Sequence, residues 1–409
     1  MEVNQKATSS EKLLEGLTVL DFTRVFAGPY CTRMLADLGA RVIKVERPGE
    51  GDEIRRVVLQ LEEGKSDQSS YFVRLNSGKE GIAVNLSHPE SHALILDLIE
   101  KSDVLVENFS PGIMARYGLD SDTLRSQKPD LIYCSISGFG QTGPLSSMKA
   151  YAHLINAVSG LMDLDRGGER DPGAQYLQVA DVLAGTHAFG AISAALLRRS
   201  RTGEGATLDI SMMECLIASD DISYPSLLNG GTAHHGPRPG MLVTNIGDRY
   251  MAIQTAISPS MWSKMVKFIG QPELETDPRF STTLLRRENW DALSELLSEW
   301  LKSFEDVDKA IAAITEAGLP GAPMLTPEEV IDHPHLKERE AFPKVDHPGR
   351  GKVRVTATPF FVDGNPTHPK GAAPYRIGEQ THKVISEFLG YTDEKIATLH
   401  EAEVIDIPH

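Results

Sequence analysis

One acidic residue, Asp181, stands in the segment Tyr176–Gly185 at the start of a long apolar run. Burying a carboxylate at the mouth of an apolar helix is costly unless the helix N-terminus or a substrate stabilises its charge. Such a carboxylate could attack a carbonyl carbon and form an acyl–enzyme anhydride, which divides one difficult acyl exchange into easier steps. An aspartate here is explained as well by a helix N-cap. The residues alone leave both interpretations open.

Basic residues could meet phosphate at two further places. Arg47 follows the predicted strand Arg41–Glu46, at the carboxyl edge where ligands of parallel sheets bind. It could hold a phosphorylated ribose or be a solvated charge at a strand end. The segment Asn76–Lys79 is compatible with phosphate contact but is also an ordinary turn. The turn Thr23–Pro29 lacks the three spaced glycines of a dinucleotide site, so an NAD cofactor is not favoured.

Glycines and histidines mark other candidate positions. The segment Gly138–Pro144 directly follows a predicted strand, so its backbone could approach a ligand or simply form a loop. His153 and His187 could exchange protons, although lone histidines in helical segments are more often packing or capping residues. His234 and His235 have no further ligands at metal-binding spacing, so no metal site is expected.

The composition limits the class of protein. There are 41 basic and 57 acidic residues, a net charge of −16, which argues against a nucleic-acid partner because phosphate-binding surfaces need clustered Lys and Arg. The chain has 409 residues, 41% of them apolar, and is long enough for two lobes. Only three cysteines occur, far apart, and the first 12 residues are polar. These features predict a reducing, cytoplasmic setting without a disulfide framework.

The longest apolar run, Val182–Leu197, is interrupted by Gly185, His187 and Gly190. This leaves it short of the roughly 20 residues that a membrane span needs. The sequence therefore predicts no transmembrane helix and no membrane partner.

Strand and helix patterns alternate in the N-terminal third. We predict a helix that opens at Gly28, with Gly39 as its left-handed cap. Ser87 and Glu90 match a capping box before a helix at Ser91–Ile99. Predicted strands lie at Leu17–Phe22, Arg41–Glu46, Asp103–Glu107, Asp130–Ile136 and Ala206–Ser211. This alternation indicates an α/β lobe with a parallel sheet.

The pattern changes after Asn229. A loop rich in glycine, histidine and proline spans Asn229–Gly240, and helices are predicted at Glu288–Phe304 and Val307–Ala317. We therefore expect a second domain, followed by a tail that closes with an amphipathic helix near Gln380–Leu389.

Several motifs, in this order and combination, strongly resemble the class III CoA-transferases. This superfamily includes formyl-CoA transferase, carnitine CoA-transferases and alpha-methylacyl-CoA racemase, and the likeness covers nearly the whole chain. The matching segments are Leu17–Phe22, Ala27–Pro29, Leu35–Ala40, Val42–Gly49, Val106–Phe109, Pro111–Gly112, Gly138–Pro144, Asp181–Gly185, Arg201–Gly205, Ile377–Thr381 and Leu389–Tyr391.

The resemblance implies a fold and a set of roles. The fold would be α/β, with a Rossmann-like large domain (residues 1–225), a smaller α+β domain (226–333) and a tail (334–409) that returns to the large domain in an interlocked homodimer. Asp181 would be the catalytic nucleophile, which favours the first interpretation of this residue. A coenzyme A thioester would be a co-substrate, with no tightly bound cofactor. The implied CoA-binding residues are Val25, Arg47, Leu75, Lys79, Lys149 and Tyr151.

Departures from the family pattern concern substrate choice. Phe26 stands where formyl-CoA transferase has a glutamine, and the glutamate of its active site becomes Ala152 or, with a shift of one residue, His153. Ser110 replaces an arginine that often meets CoA phosphate. The glycine-rich lid would map onto Asn229–Gly240. The substrate-pocket candidates are Phe26, His153, Gly230, Gly231 and His234.

The leading hypothesis is therefore an enzyme that moves CoA from an acyl-CoA donor to a carboxylic acid. Arg24, Arg238 and the histidines would favour a dicarboxylic acceptor through charge complementarity. An alternative is an alpha-methylacyl-CoA racemase, which needs a histidine and an aspartate on opposite sides of the alpha carbon; Tyr151 stands near the place of that histidine. A second alternative is a non-catalytic acyl-CoA-binding protein.

Overall fold

The computed structural model describes residues 12–166, 171–236, 240–255 and 258–408. The chain divides into two compact units, each formed by segments that are distant in sequence. The first unit comprises Met1–Asp163, Pro172–His234 and His335–His409, and the second comprises Leu164–Asp171 and His235–Pro334.

Strands are numbered in chain order. They are β1 (Thr18–Asp21), β2 (Arg41–Glu46), β3 (Glu80–Val84), β4 (Val104–Glu107), β5 (Ile132–Ser137), β6 (Ala206–Ser211), β7 (Met241–Ile246), β8 (Arg249–Gln254), β9 (Gly321–Pro323), β10 (Lys344–His347), β11 (Gly351–Arg354), β12 (Phe361–Val362), β13 (Asn365–Pro366) and β14 (Ile405–Asp406).

Helices follow the same convention, and short 3-10 turns cover Glu53–Arg56 and Pro272–Glu275. The helices are α1 (Ala27–Asp37), α2 (Ser70–Asn76), α3 (Ser91–Glu100), α4 (Ile113–Arg116), α5 (Ser121–Gln127), α6 (Ala152–Val158), α7 (Leu161–Asp165), α8 (Val179–Thr202), α9 (Met212–Ile217), α10 (Ser223–Leu228), α11 (Pro259–Phe268), α12 (Thr283–Glu288), α13 (Trp290–Leu301), α14 (Val307–Glu316), α15 (Pro327–Asp332), α16 (Pro334–Glu338), α17 (Thr381–Lys383) and α18 (Asp393–Glu401).

The first unit is built on a seven-stranded sheet with the order β14-β3-β2-β1-β4-β5-β6. All neighbouring strands pair in parallel except β14, which pairs antiparallel with β3. Chain order reverses direction at β1, because β2 lies on one side of it and β4 on the other. The carboxyl ends of β1 and β4 therefore border the crevice where open α/β sheets bind ligands.

Successive residues of the central strands face two separate cores, which is why these strands are apolar throughout. Val19 and Val104 belong to the core covered by α1 and α8. Leu20 and Leu105 belong to the core covered by α3 and α18. The result is a doubly wound unit of three layers, and it confirms the predicted α/β class.

Most predicted element bounds lie within a few residues of the observed ones, and Gly39 has a φ of +117° after α1. The predicted capping box was wrong. Glu90 is the N-cap residue of α3 and its side chain makes no capping bond. The Ser87 backbone N–H instead donates to Asn85 Oδ1 at 3.2 Å, which makes a turn before the helix.

The apolar run Val182–Leu197 was expected to be too short for a membrane span, but the helix that contains it, α8, is longer than the run. It is a continuous helix of 24 residues, since isolated glycines cost a packed helix only about 1 kcal/mol each. Within the described ranges it is the one helix long and apolar enough to cross a membrane. Core helices pass the same test, and the Ala180, Ala184 and Ala188 face of α8 is buried in the first unit.

The remaining elements complete the two units. In the first unit β10 pairs with β11 and β12 with β13, both antiparallel. In the second unit the antiparallel sheet β7-β8-β9 shares an apolar core with α11, α13 and α14.

Candidate active site

The first cavity, of about 440 Å³, opens where β1, β4 and β5 end in the first unit. Its wall is formed by the loops that follow these strands, the segment before α6 and the start of α8. The wall includes the residues Arg24, Val25, Asn108, Ser137, Lys149, Tyr151, His153, Gln178 and Asp181. The parallel sheet thus brings residues from five distant segments to one site.

Asp181 lies in the first turn of α8 and is partly buried. Burial raises the pKa of this carboxyl to about 6, and a hydrogen bond from the Ala27 backbone N–H opposes the shift. Gly185 permits this contact between helices, because a Cβ there would lie 2.6 Å from the Ala27 carbonyl oxygen. Among the described residues no basic side chain forms an ion pair with Asp181, so its oxygens stay available to a ligand.

Tyr71 and Gln178 lie beside this carboxylate. The Tyr71 hydroxyl donates to Gln178 Oε1 at 3.0 Å. Burial, and then the charge of Asp181, raise the pKa of Tyr71, so its hydroxyl remains a proton donor. The Tyr71 ring packs with Phe26, with ring centroids 5.9 Å apart.

Two loops meet at the switch point through a reciprocal pair of hydrogen bonds. The Arg24 N–H donates to Asn108 Oδ1 and Asn108 Nδ2 donates to the Arg24 carbonyl oxygen, both at 2.8 Å. Next to this pair, Val25 has a φ of +67°, a left-handed conformation that is rare and strained for a β-branched residue. The Val25 N–H donates to Asp52 Oδ1 at 3.2 Å, which helps to hold it.

A network of buried charges lies beneath these loops. Lys79 Nζ is 3.0 Å from Asp21 Oδ2 and Lys44 Nζ is 3.0 Å from Asp52 Oδ2, and all four side chains are buried. Burial lowers the pKa of Lys79 to about 8, against the opposing charge of Asp21. Burial alone would raise the pKa of Asp21, but Lys79 and Lys44 together with two hydroxyl groups lower it to about 2.

The sequence placed Leu75 and Lys79 among the CoA-binding residues, and both side chains are buried. Lys79 Nζ is also bonded to Pro29 O, Thr32 Oγ1 and Asn76 Oδ1. Neither residue lines the first cavity or a second cavity of about 350 Å³. In this structure the Lys79 ammonium therefore stabilises the strand and helix around Asp21, and the CoA contacts of Leu75 and Lys79 stay predictions.

The other four CoA-binding candidates line cavities. Val25, Lys149 and Tyr151 lie in the wall of the first cavity. Arg47 lines the second cavity and its exposed guanidinium pairs with Glu50 at 3.1 Å. Ser110 and Arg24 line both cavities.

The substrate-pocket candidates are scattered. His153 lines the first cavity. Phe26 is 5% exposed and lies in an apolar cluster outside the cavity wall. Gly230, Gly231 and His234 follow α10 in a loop, where the Ser223 hydroxyl donates to the His234 carbonyl oxygen, and they line neither cavity. Their role as a lid stays a prediction, and Arg238 lies outside the described residues.

The structure adds two polar groups that the sequence argument did not single out. Gln178 stands three residues before Asp181, a spacing that could have suggested it. Ser137 ends β5 in the cavity wall, and its buried hydroxyl has no hydrogen-bond partner within the described ranges. No sequence signal marks it, because its position depends on how the strands pair.

No group of three or more potential metal ligands occurs within the described ranges, and Cys31, Cys134 and Cys215 are buried free thiols. The wall of the first cavity contains a carboxylate, hydroxyl and amide groups, and cationic side chains. The carboxylate can attack a carbonyl carbon, and the cationic side chains can bind anionic substrates.

Comparison with known proteins decides the family. The sequence matches the family described as CoA-transferase family III over residues 14–381. The chain belongs to that family. It is therefore an enzyme of a family that uses CoA thioesters as substrates.

Individual relatives agree with the family match. Human succinyl-CoA:glutarate CoA-transferase is 32% identical over 98% of this chain and 92% of the relative. Formyl-CoA:oxalate CoA-transferase of Escherichia coli is 33% identical over 96% of this chain and 99% of the relative. The solved structure of a CAIB/BAIF family protein from Brucella suis has a TM-score of 0.77 at 31% identity, covering 92% of this chain and 99% of that one.

Proposed function

We propose that this family III enzyme transfers CoA from an acyl-CoA to a carboxylic acid through covalent intermediates on Asp181. One observation carries the proposal: Asp181 lies in the wall of a cavity at the switch point, partly buried and without a basic partner among the described residues. A carboxylate in that setting is poorly stabilised by the protein and is therefore disposed to react.

The proposed reaction has four bond exchanges, two with the donor and two with the acceptor. A carboxylate oxygen of Asp181 attacks the thioester carbonyl carbon, the C–S bond breaks, and CoA thiolate leaves behind a mixed anhydride. The thiolate then attacks the Asp181 carbonyl carbon and releases the donor acid, which leaves an aspartyl-CoA thioester. The acceptor acid repeats these steps in reverse and departs as the new acyl-CoA.

The test is to trap the intermediate. Enzyme incubated with acyl-CoA alone and treated with hydroxylamine or borohydride should show a mass change confined to the peptide that contains Asp181. Asp181→Asn, which lacks the anionic nucleophile, and Asp181→Glu, which displaces the oxygen by about one methylene, should fold and show no adduct. Asp122→Asn is the matched control, because Asp122 is an exposed acid in the first turn of α5. An adduct elsewhere, or full activity of Asp181→Asn, would overturn the proposal.

For CoA itself we propose a path across both cavities. Arg47 in the second cavity would meet phosphate, and Val25, Lys149 and Tyr151 in the first would flank the pantetheine arm. The shared wall residues Arg24 and Ser110 support a continuous path, and CoA would be a co-substrate with no tightly bound cofactor.

We further propose a dicarboxylic acid as the acceptor. The two relatives described above are named for glutarate and for oxalate, and Arg24, Lys149 and His153 give the first cavity cationic or protonatable groups. A screen of CoA exchange against mono- and dicarboxylic acids, with succinyl-CoA and acetyl-CoA as donors, would test the choice. Preference for monocarboxylic acids would contradict it.

A second candidate is racemisation of an alpha-methylacyl-CoA, because His153 and Asp181 line the same cavity. Exchange of the alpha hydrogen with solvent deuterium, without any Asp181 adduct, would favour this reaction over transfer. The family match gives no support to the non-catalytic binding alternative.

We also propose an interlocked homodimer in a cytoplasmic setting. Helix α8 is apolar over most of its length, yet only one face is buried and Leu197 is 54% exposed. A second copy of the chain that covers this face would remove apolar surface from water.

A further inference from the structure

Gln178 is the N-cap residue of α8, and its side chain does not cap the helix. The side chain instead lines the first cavity together with Asp181. Its Oε1 accepts a hydrogen bond from the Tyr71 hydroxyl at 3.0 Å. Since Oε1 is held by Tyr71, the two N–H bonds of Nε2 point away from that hydroxyl. Over the described ranges these two hydrogens have no protein acceptor.

Sequence spacing places this amide close to the nucleophile. Residues three apart at a helix start share one face, with Cβ atoms about 5–6 Å apart. Tyr71 also lies close enough to Asp181 to be affected by its charge, which contributes to the raised pKa of the Tyr71 hydroxyl. Tyr71 therefore remains protonated and keeps donating, which fixes the orientation of the amide.

We propose that Gln178 Nε2 donates a hydrogen bond to the thioester carbonyl oxygen while Asp181 attacks, and that Tyr71 is a positioning residue that orients the amide. The inference rests on the proposed function. As the Asp181 oxygen bonds to the carbonyl carbon, the carbonyl π electrons move onto oxygen, and the Gln178 N–H stabilises that oxyanion. When the C–S bond breaks, these electrons form the carbonyl π bond again, and no proton is transferred.

A neutral amide suits this position better than a cation. A lysine or arginine beside Asp181 would form an ion pair and hold the carboxylate in an unreactive state. An amide can stabilise the developing charge of the transition state and leaves the nucleophile anionic.

The experiment measures the half-reaction alone, as the exchange of labelled CoA into acyl-CoA without any acceptor acid. Gln178→Met keeps the approximate length and removes the donors. It should lower kcat of exchange by about 100-fold and leave the acyl-CoA KM within about twofold. Gln178→Glu, which retains an acceptor for Tyr71 and loses the amide hydrogens, should be comparably slow and serves if Gln178→Met folds poorly.

Tyr71→Phe tests the positioning role. It should lower kcat by about 3- to 10-fold in the wild-type background and have no further effect in Gln178→Met, because the two side chains act as one unit. Tyr30→Phe is the matched control, since the Tyr30 ring also packs on Phe26, with centroids 5.7 Å apart. That variant should exchange CoA at the wild-type rate.

Two results would overturn the inference and leave the proposed function intact: wild-type exchange by Gln178→Met, or a full additive effect of Tyr71→Phe in Gln178→Met. In both cases Asp181→Asn would still be inactive. If Asp181→Asn exchanges CoA normally, or the wild type exchanges none, the proposed function fails and the inference fails with it.

Discussion

Asp181 differs in its surroundings from Asp21 and Asp52, two buried acids of the first unit. Asp21 and Asp52 are each paired with a buried lysine, whereas burial leaves the pKa of Asp181 raised to about 6. The buried lysines thus form ion pairs with the acids that organise the loops, whereas Asp181 in the cavity wall has no such partner among the described residues. A group held in this way has a pH dependence that can be measured.

The attacking form of Asp181 is the carboxylate, so the proposed reaction needs the deprotonated state. Because the raised pKa is about 6, kcat/KM should be constant above about pH 7 and fall about tenfold per pH unit well below pH 6. The measurement is the rate of CoA exchange from pH 4.5 to about 8. The phosphate of CoA titrates near pH 6 as well, so the control is a dephospho-CoA thioester, with which the acid limb should persist. A flat profile would contradict the assigned nucleophile.

Arg47 is the cationic candidate of the second cavity. Arg47→Ala should raise the acyl-CoA KM by about tenfold or more with little change in kcat, since a charge-assisted hydrogen bond contributes about 1.5–3 kcal/mol. Arg56→Ala is the control, because Arg56 is exposed nearby and lines neither the first nor the second cavity. Equal KM values for the two variants would show that the phosphate binds elsewhere.

Lys79 should behave as a structural residue. Lys79→Met leaves Asp21 buried without its partner, which should cost about 3–5 kcal/mol in the free energy of unfolding. Lys128→Met, which breaks the partly exposed pair with Asp130, should cost about 1 kcal/mol or less. Urea denaturation measures both. A stable Lys79→Met with a raised acyl-CoA KM would instead make Lys79 a ligand contact.

The roles of these side chains differ in how far the sequence reveals them. Asp181 could be singled out from the sequence because a carboxylate at the start of an apolar helix is costly to bury. The burial of Lys79 could not, since its partners Asp21 and Thr32 are 58 and 47 residues away. The bond between Tyr71 and Gln178 spans 107 residues and likewise depends on the tertiary fold.

At the scale of elements, local patterns predicted the central strands well. β2 and β6 have the bounds that their apolar runs and flanking turns indicate. The prediction of a capping box before α3 was wrong. Ser87 and Glu90 match the sequence motif, but the chain forms a turn before the helix. Strand β14 was not predicted, since two residues carry no periodicity and its pairing with β3 crosses most of the chain.

Strand β14 should matter for stability. Val404 and Ile405 are 0% and 2% exposed, and full burial of such side chains contributes about 1.5–3 kcal/mol each. A chain that ends at Glu403 should therefore lose about 3–5 kcal/mol in the free energy of unfolding. A chain that ends at Ile407 retains the strand and is the control. Coincident urea transitions of these two chains would contradict the prediction.

At the scale of the whole molecule, the sequence predicted two lobes from length alone, and the structure divides into two units whose segments interleave along the chain. Composition cannot predict such interleaving, because it depends on which distant segments pack together. The predicted domain bounds and the dimer stay predictions.

The dimer can be tested in solution. Sedimentation at micromolar concentration should give a mass of twice the 44.7 kDa chain, with no dissociation on dilution because interlocked chains cannot separate without unfolding. A monomer that still exchanges CoA would remove the proposal. Leu197→Glu places a charge on the exposed face of α8 and should weaken assembly, whereas Leu13→Glu, at an exposed leucine outside that helix, should not.

The position of β14 at the outer edge of the sheet has a consequence for biosynthesis. Its partner β3 leaves the ribosome more than 300 residues earlier, because Val84 pairs with Ile405. Because synthesis adds about 5–20 residues per second, the edge of β3 stays unpaired for some tens of seconds. Unpaired backbone groups on a sheet edge can pair with another chain during that interval. We therefore expect a nascent chain of this protein to need protection by chaperones until its last helix and strand have been made.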